Sequence, residues 1–285
     1  MITLENLGFQ YSKKAPAPLF KDLNLKLERG NIYGLLGLNG AGKTSLLKIM
    51  SGQLFRTAGE ADVIGFDPGS RKPEMLREIF YVPEEFYLPR MKAETYLKLN
   101  TVYYPRFDRE KFEEYCTTFQ LDTSLNISDF SFGQKKKFLL AFGLASQATL
   151  LILDEPTNGL DIPSKTQFRK TVASALTKER SFIISTHQVR DMENLFDPLV
   201  ILHEGKIVLN RTMGELSSRI SMENSFTEPV LSENILYTEK VPGGWCTLRA
   251  DSSPENETTL DLEVLFNAVI YFPQEINALF EEVKS

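Results

Sequence analysis

Eight consecutive residues, Gly37-Leu38-Asn39-Gly40-Ala41-Gly42-Lys43-Thr44, constrain this chain more than any other stretch. They follow an apolar run (Ile32, Tyr33, Leu35, Leu36) of the kind that forms a buried strand. They lead into Ser45-Leu46-Leu47-Lys48-Ile49-Met50, which has the character of a helix ended by Gly52. The spacing G-x-x-x-x-G-K-T in that setting is that of a phosphate-binding loop. Glycines at 37, 40 and 42 let successive backbone N–H groups face one concavity, and the helix N-terminus adds partial positive charge. Lys43 can then reach the outer phosphates of a nucleotide, and the Thr44 hydroxyl is placed to ligate Mg2+.

The rest of the composition narrows the class. With 285 residues, 42% hydrophobic and 25% charged, the chain can bury a sizeable core in one large domain or one and a half. A net charge of -6 argues against a protein that wraps nucleic acid by counterion release. Cys116 and Cys246 are far apart without metal-ligand spacing and read as reduced residues of a cytosolic protein. Two histidines rule out a histidine-rich metal site. The start, Met1-Ile2-Thr3-Leu4-Glu5, lacks the layout of a signal peptide. The longest greasy stretch, 138 to 153, is interrupted by Ser146, Gln147 and Thr149, so no transmembrane segment is expected.

Along the chain, residues 2 to 9 and 20 to 28 have the alternation of half-buried antiparallel strands. Tyr11, in the loop between them, is placed either to stack on a nucleotide base or simply to pack as an ordinary tyrosine. A short strand and turn follow at 60 to 65. Ile79-Phe80-Tyr81-Val82 is an apolar strand stopped by Pro83, and Glu84-Glu85 beyond it are either near a metal and its waters or solvated loop charges.

From about 86 to 148 the pattern is helical. Asp108 is a candidate N-cap, and Phe112, Tyr115, Cys116 and Phe119 share one apolar face that needs no cofactor. The aromatic residues Phe86, Tyr87, Tyr96, Tyr103 and Tyr104 form either a docking surface or core. Phe130-Ser131-Phe132-Gly133-Gln134 opens a helix and a second possible anion site. Lys135, Lys136 and Lys137 after it are a solvated face, or an added attraction if phosphate is near.

Leu150-Leu151-Ile152-Leu153 is a continuous apolar run, as expected of a central parallel strand, ending in Asp154 and Glu155 at the edge where α/β sheets place their chemistry. Alternation along the strand points these two acids in different directions, one toward a magnesium shell and the other toward an attacking water. A turn follows, and Asp161 is placed to cap the next helix. Ser181 to Thr186 is a further buried strand, with His187 just past its end at the same sheet edge. Residues 199 to 209 read as a hairpin through Glu204-Gly205. Beyond about 211 to 225 the composition shifts, and Pro242-Gly243-Gly244 and Ser252-Ser253-Pro254 punctuate a small α/β tail. Its strands are expected near 235 to 240 and 245 to 249, and its helices near 261 to 271 and 273 to 283.

Taken together over residues 1 to 210, these elements resemble the ATP-binding subunits of ABC transporters. Gly37 to Thr44 is similar to the Walker A loop, Leu150 to Asp154 to Walker B, and Glu155 to the catalytic glutamate. Asn158-Gly159-Leu160-Asp161 resembles the D-loop through which such subunits communicate in a dimer, His187 the switch histidine, and Tyr11 the adenine-stacking aromatic. Two positions depart from the family. The signature Leu-Ser-Gly-Gly-Gln is here Phe130-Ser131-Phe132-Gly133-Gln134, and the usual glutamine after Tyr-x-Pro is Glu84.

The resemblance implies an α/β fold of the P-loop type with a mixed-sheet core, an antiparallel β subdomain and a helical subdomain at about 86–148. The ATP-binding domain would cover 1–215, followed by a small C-terminal accessory domain at 216–285. It implies ATP and Mg2+ as ligands. Tyr11, Gly37, Asn39, Gly40, Ala41, Gly42, Lys43, Thr44 and Ser45 would hold the nucleotide, and Ser131, Gly133 and Gln134 would cap it. Thr44, Asp154 and, through water, Glu84 would serve the metal; Lys43, Glu155 and His187 would act in hydrolysis. The implied assembly is a head-to-tail homodimer or a pair with a related cassette, cytoplasmic and held at the inner face of the membrane by a separately encoded permease, in export rather than import. The rival expectations are a non-transport ATPase of the same family acting on ribosomes or DNA, and a nucleotide-binding regulatory subunit with little turnover.

Overall fold

A computed structural model describes residues 1–12, 14, 16–192, 195–229, 234–250 and 260–281. Its centre is a six-stranded sheet built from β3 (Ile32–Leu36), β5 (Ile79–Val82), β6 (Leu150–Asp154), β7 (Ser181–Thr186), β8 (Leu199–His203) and β9 (Lys206–Arg211), in the order β5-β6-β7-β3-β8-β9. All neighbours pair in parallel except β8 and β9, which form the hairpin.

Period-two alternation along these strands sends adjacent residues into two separate apolar clusters. Leu35, Ile152 and Ile183 face one side, while Leu36, Leu151, Leu153, Phe182 and Ile184 face the other. That explains why the central strands read as unbroken apolar runs: both faces are covered. The first side is covered by α1 (Lys43–Met50) and by an antiparallel sheet of β1 (Ile2–Phe9), β2 (Phe20–Leu27) and β4 (Ala58–Val63), in the order β2-β1-β4. The second is covered by α3 (Ala93–Asn100), α4 (Arg109–Thr118), α5 (Phe132–Ala145) and α6 (Ile162–Ala175), with the short α2 (Pro73–Leu76) leading into β5. Each fully buried Phe of this side, such as Phe112, Phe138 and Phe168, contributes about 1.5–3 kcal/mol through removal from water.

Asp108 caps α4 by accepting from the Lys111 N–H at 3.0 Å, and the expected face of Phe112, Tyr115, Cys116 and Phe119 is buried. The aromatic stretch divides between its two readings. Tyr96 and Tyr104 pack against Phe142, whereas Tyr87 is 86% exposed and Tyr103 63%. The three lysines also separate. Lys136 is 0% exposed, which corrects the expectation of a solvated side chain for it.

After β9, α7 (Met213–Ser217) leads to β10 (Ile220–Ser225), β11 (Ile235–Val241) and β12 (Gly244–Ala250), an antiparallel sheet ordered β10-β12-β11. Then follow α8 (Leu262–Tyr271) and α9 (Pro273–Ala278), the latter shorter than the span expected from sequence. Residues 252 to 254, 282 and 283 lie outside the described residues. Leu265, Ala268 and Val269 of α8 belong to the same apolar cluster as Leu199 and Ile201 of β8.

Candidate functional site

Four chain segments meet at the carboxyl ends of β3, β5, β6 and β7. The loop Gly37–Thr44 leaves β3 and turns into α1, which begins at Lys43. Gly42 takes φ +105°, and a Cβ there would sit 2.8 Å from the Phe20 ring, so both conformation and space require glycine. Lys43 is 7% exposed. Its Nζ donates to the Gly37 carbonyl at 2.7 Å and more weakly to the Leu38 carbonyl at 3.4 Å, and lies 3.9 Å from Glu155 Oε1. Burial lowers the pKa of this ammonium, and the charges of Glu155, Asp154 and Glu84 oppose the shift.

The two acids at the end of β6 are held differently. Asp154 Oδ1 accepts from the Ser185 hydroxyl at 2.6 Å, and its Oδ2 from the Tyr81 hydroxyl at 3.1 Å. Burial first, and then the Asp154 charge, push the Tyr81 phenol up, so it remains a donor. Glu155 is the residue at which the chain leaves the strand, with φ +46°. Its N–H donates to Ser185 Oγ at 3.0 Å, and its Oε1 lies 2.8 Å from His187 Nδ1. Burial raises the Glu155 pKa, with the hydrogen bond and charge of His187 and the charge of Lys43 pulling the other way. The other carboxylate oxygen, Oε2, is buried and has no hydrogen-bond partner among the described residues.

These groups share a cleft of about 520 Å³ lined by Tyr11, Asn39, Gly40, Gly42, Lys43, Thr44, Ser45, Glu84, Glu155 and His187, together with Leu19 and Leu38. Gly37, Ala41 and Asp154 are not among its lining residues. Tyr11 is exposed; its hydroxyl lies 2.6 Å from Ser45 Oγ and its ring meets Phe9 edge-on. Glu84 Oε1 accepts from Asn158 Nδ2 at 3.0 Å, which ties the loop after β5 to the turn after β6.

Ser131, Gly133 and Gln134 do not line this cleft. Ser131 caps α5 in a reciprocal box with Gln134, each side chain bonded to the other's backbone N–H, an arrangement that contributes about 1 kcal/mol. A Cβ on Gly133 would stand 2.9 Å from the Gly159 carbonyl oxygen, so the helix start rests directly on the turn that precedes α6. Phe132 stacks on Phe86 with centroids 5.5 Å apart. Asp161 caps α6 by accepting from the Ser164 N–H at 2.9 Å, and hydrogen bonding to Ser164, through its side chain first and then its backbone N–H, lowers the carboxyl pKa.

Sequence reasoning missed Tyr81 and Ser185, the contact of Asn158 with Glu84, and the burial of Lys136. For Lys136 a signal was present, since it falls one turn before the buried Leu140 on the same face of α5. For the others the partners are remote in sequence and only the sheet order brings them together.

A strand, a glycine loop and a helix start, facing carboxylates at the ends of adjacent parallel strands, define a phosphate-loop nucleotide-binding protein. The family model described as ABC transporter matches residues 20–158. Among curated relatives, the chain is 34% identical over 203 residues to the bacitracin transport ATP-binding protein BcrA of Bacillus licheniformis, spanning 69% of this chain and 66% of that protein. It is 30% identical over 256 residues to the uncharacterized ABC transporter ATP-binding protein YmeB of Lactococcus lactis, spanning 85% of this chain and 93% of that protein. Among solved structures, a dimeric ATP-binding cassette in a post-hydrolysis state bound to ADP and Pi superposes with TM-score 0.67 at 19% identity, covering 75% of this chain and 99% of that one. The chain belongs to the family of ABC transporter ATP-binding proteins.

Proposed function

We propose that this chain binds and hydrolyses ATP to power transport, as export, by a separately encoded membrane permease. The observation that carries the reading is the state of Glu155: Oε1 is held by His187 and lies 3.9 Å from Lys43 Nζ, and Oε2 is a buried acceptor without a hydrogen-bond partner among the described residues. A carboxylate oriented in that way suits a group that takes a proton from water.

In this reading the loop N–H groups and Lys43 bind the β- and γ-phosphates, with Lys43 Nζ exchanging the Gly37 carbonyl for phosphate oxygen. Tyr11 packs against the base. The donors available to Mg2+ are hard oxygens: the Thr44 hydroxyl, Asp154, and Glu84 through water. They fit the ion, because Thr44 and Glu84 line the cleft beside the phosphate loop, Asp154 stands at the end of β6, and Mg2+ takes hard oxygen ligands and characteristically completes its shell with phosphate and water. When bound, Mg2+ neutralises phosphate charge. Glu155 accepts a proton from water as its oxygen attacks the γ-phosphorus; the bond to the bridging oxygen breaks, and ADP and phosphate result. His187 orients Glu155 through Nδ1, which leaves Nε2 for the γ-phosphate. Positioning and electrostatics supply most of the rate.

The distance of Ser131, Gly133 and Gln134 from their own cleft supports a head-to-tail arrangement in which they cap the nucleotide of a second copy or of a related cassette. Asp161, on the turn that Gly133 touches, then lies where one site can sense the other. Among the described residues no helix is long and apolar enough to cross a membrane. As for the family of ABC transporter ATP-binding proteins, the chain would act from the cytoplasm at the inner membrane face, held there by the permease. The groove of about 710 Å³ between the β5 end and α3, which includes Leu76, Arg77, Tyr87 and Tyr103, is the surface assigned to that partner. Net charge -6 disfavours a nucleic-acid partner, and the Lys43, Glu155 and His187 cluster disfavours a non-hydrolysing regulator.

The deciding experiment is light scattering of the Glu155→Gln chain with and without Mg·ATP, alongside wild-type turnover. An ATP-dependent dimer in the variant and hydrolysis by the wild type support the reading. Absence of both overturns it.

A further inference from the structure

An ammonium buried away from water is costly unless good acceptors surround it. Lys136 lies on the first turns of α5, is 0% exposed, and is used by none of the steps above. Its Nζ donates to the main-chain carbonyl of Glu155 at 2.9 Å. The same Nζ lies 5.3 Å from the centroid of the Phe132 ring, one helical turn earlier.

The acceptor is not an arbitrary carbonyl. Glu155 stands at φ +46°, a conformation unfavourable for any residue with a Cβ and kept only where the surroundings impose it. Four hydrogen bonds hold it here: the Glu155 N–H donates to Ser185 Oγ at 3.0 Å and to the Ser185 carbonyl at 3.2 Å, and the Glu155 carbonyl accepts from Lys136 Nζ at 2.9 Å and from the Asn158 N–H at 3.3 Å, so Lys136 supplies the only charged donor among them. Together they fix the main chain on either side of the Glu155 Cα, and that orientation determines where the carboxylate points. An uncharged residue of similar length would fill the same space without the cost of burying charge, so packing alone does not account for a lysine.

We propose that Lys136 is a positioning residue for Glu155: its bond to the Glu155 carbonyl holds the left-handed turn that aims the carboxylate at His187 and the cleft. Through Phe132, the same ammonium joins the start of α5 to that turn. In a head-to-tail pair, the start of α5 would face the partner's nucleotide while Glu155 serves its own, so one buried cation would connect the two sites. This inference rests on the reading of Glu155 as the group that activates water.

The test compares Lys136→Arg, Lys136→Gln and Lys136→Met in the full chain, measuring kcat and KM for Mg·ATP and the thermal midpoint. A positioning role predicts kcat near wild type for Arg, a fall of about threefold to tenfold for Gln, and a fall of at least about tenfold for Met, with KM within about threefold throughout. A kcat for Met within twofold of wild type overturns the inference. So does a kcat loss that Arg and Gln do not relieve, or one that tracks only a falling thermal midpoint. If the Met variant does not fold, the Arg and Gln pair decides: equal turnover overturns the inference, and a deficit confined to Gln supports it. ATP-driven dimerisation of the Glu155→Gln chain is measured in parallel. Its absence together with absent wild-type turnover removes the reading of the site and the inference with it, whereas its presence with normal Lys136→Met turnover removes the inference alone.

Discussion

His187 Nδ1 lies 2.8 Å from Glu155 Oε1, joining the residue after β7 to the residue after β6 across the edge of the parallel sheet. The contact uses one oxygen of the carboxylate and leaves the other for chemistry. Replacing His187 with Ala should therefore lower kcat by about 10²-fold while KM for ATP changes little, since the loop that binds phosphate is untouched. Steady-state kinetics decide it; an equal loss in KM would place His187 in ground-state binding instead.

Burial raises the pKa of Glu155. The group serves as a base only when ionised, and burial makes it hold its proton to a higher pH than the ordinary 4.5. On acidification, kcat/KM should fall in a limb displaced above that value, and the limb should be missing from the residual activity of Glu155→Gln. For stability the sign is opposite to that of a salt-bridged carboxylate. The folded state binds this proton more tightly than the unfolded one, so the contribution is present below the unfolded value and is lost as pH rises through the folded value.

Gly133→Ala would place a methyl 2.9 Å from the Gly159 carbonyl, a backbone atom that cannot swing away. The start of α5 would be pushed from the turn before α6. Stability should drop by about 1–3 kcal/mol, and ATP-driven dimerisation of the Glu155→Gln chain should weaken about tenfold. ATP binding by the monomer should hold, which calorimetry can check.

Arg77→Glu and Tyr87→Asp alter the exposed wall of the groove assigned to the permease, away from the nucleotide cleft. Basal ATP hydrolysis should stay within about twofold, while transport by vesicles reconstituted with the permease is lost. A fall in basal turnover would assign the groove to the cassette itself.

Much of this arrangement is legible in the sequence because its signals are local. The glycine loop with Lys43 and Thr44, the apolar run ending in Asp154 and Glu155, and the position of His187 after its strand all depend on neighbours within a few residues. Caps such as Asp108, Ser131 and Asp161 are equally local. Contacts such as Ser185 with Asp154, Asn158 with Glu84 and Tyr81 with Asp154 are not, because they exist only once the strands are ordered β5-β6-β7-β3-β8-β9. Lys136 shows a different limit. Within a run of three lysines, charge is visible in sequence, but the face of the helix that goes inward is fixed by the packing of α5 on the sheet. Phe132 illustrates the same point: as a departure from a family glycine it reads as a weakness, whereas its ring has found a stacking partner in Phe86.

The packing of α8 on β8 sets a practical limit on how this protein can be cut. A fragment trimmed to the stretch that carries the nucleotide motifs would strip the cover from Leu199 and Ile201 and leave a greasy seam along one flank of the central sheet. Such a fragment should precipitate or self-associate in the test tube, and the resulting clumps could be mistaken for the nucleotide-driven pairing proposed for this chain. Any assay of assembly is therefore sound only on the chain with its last helices in place.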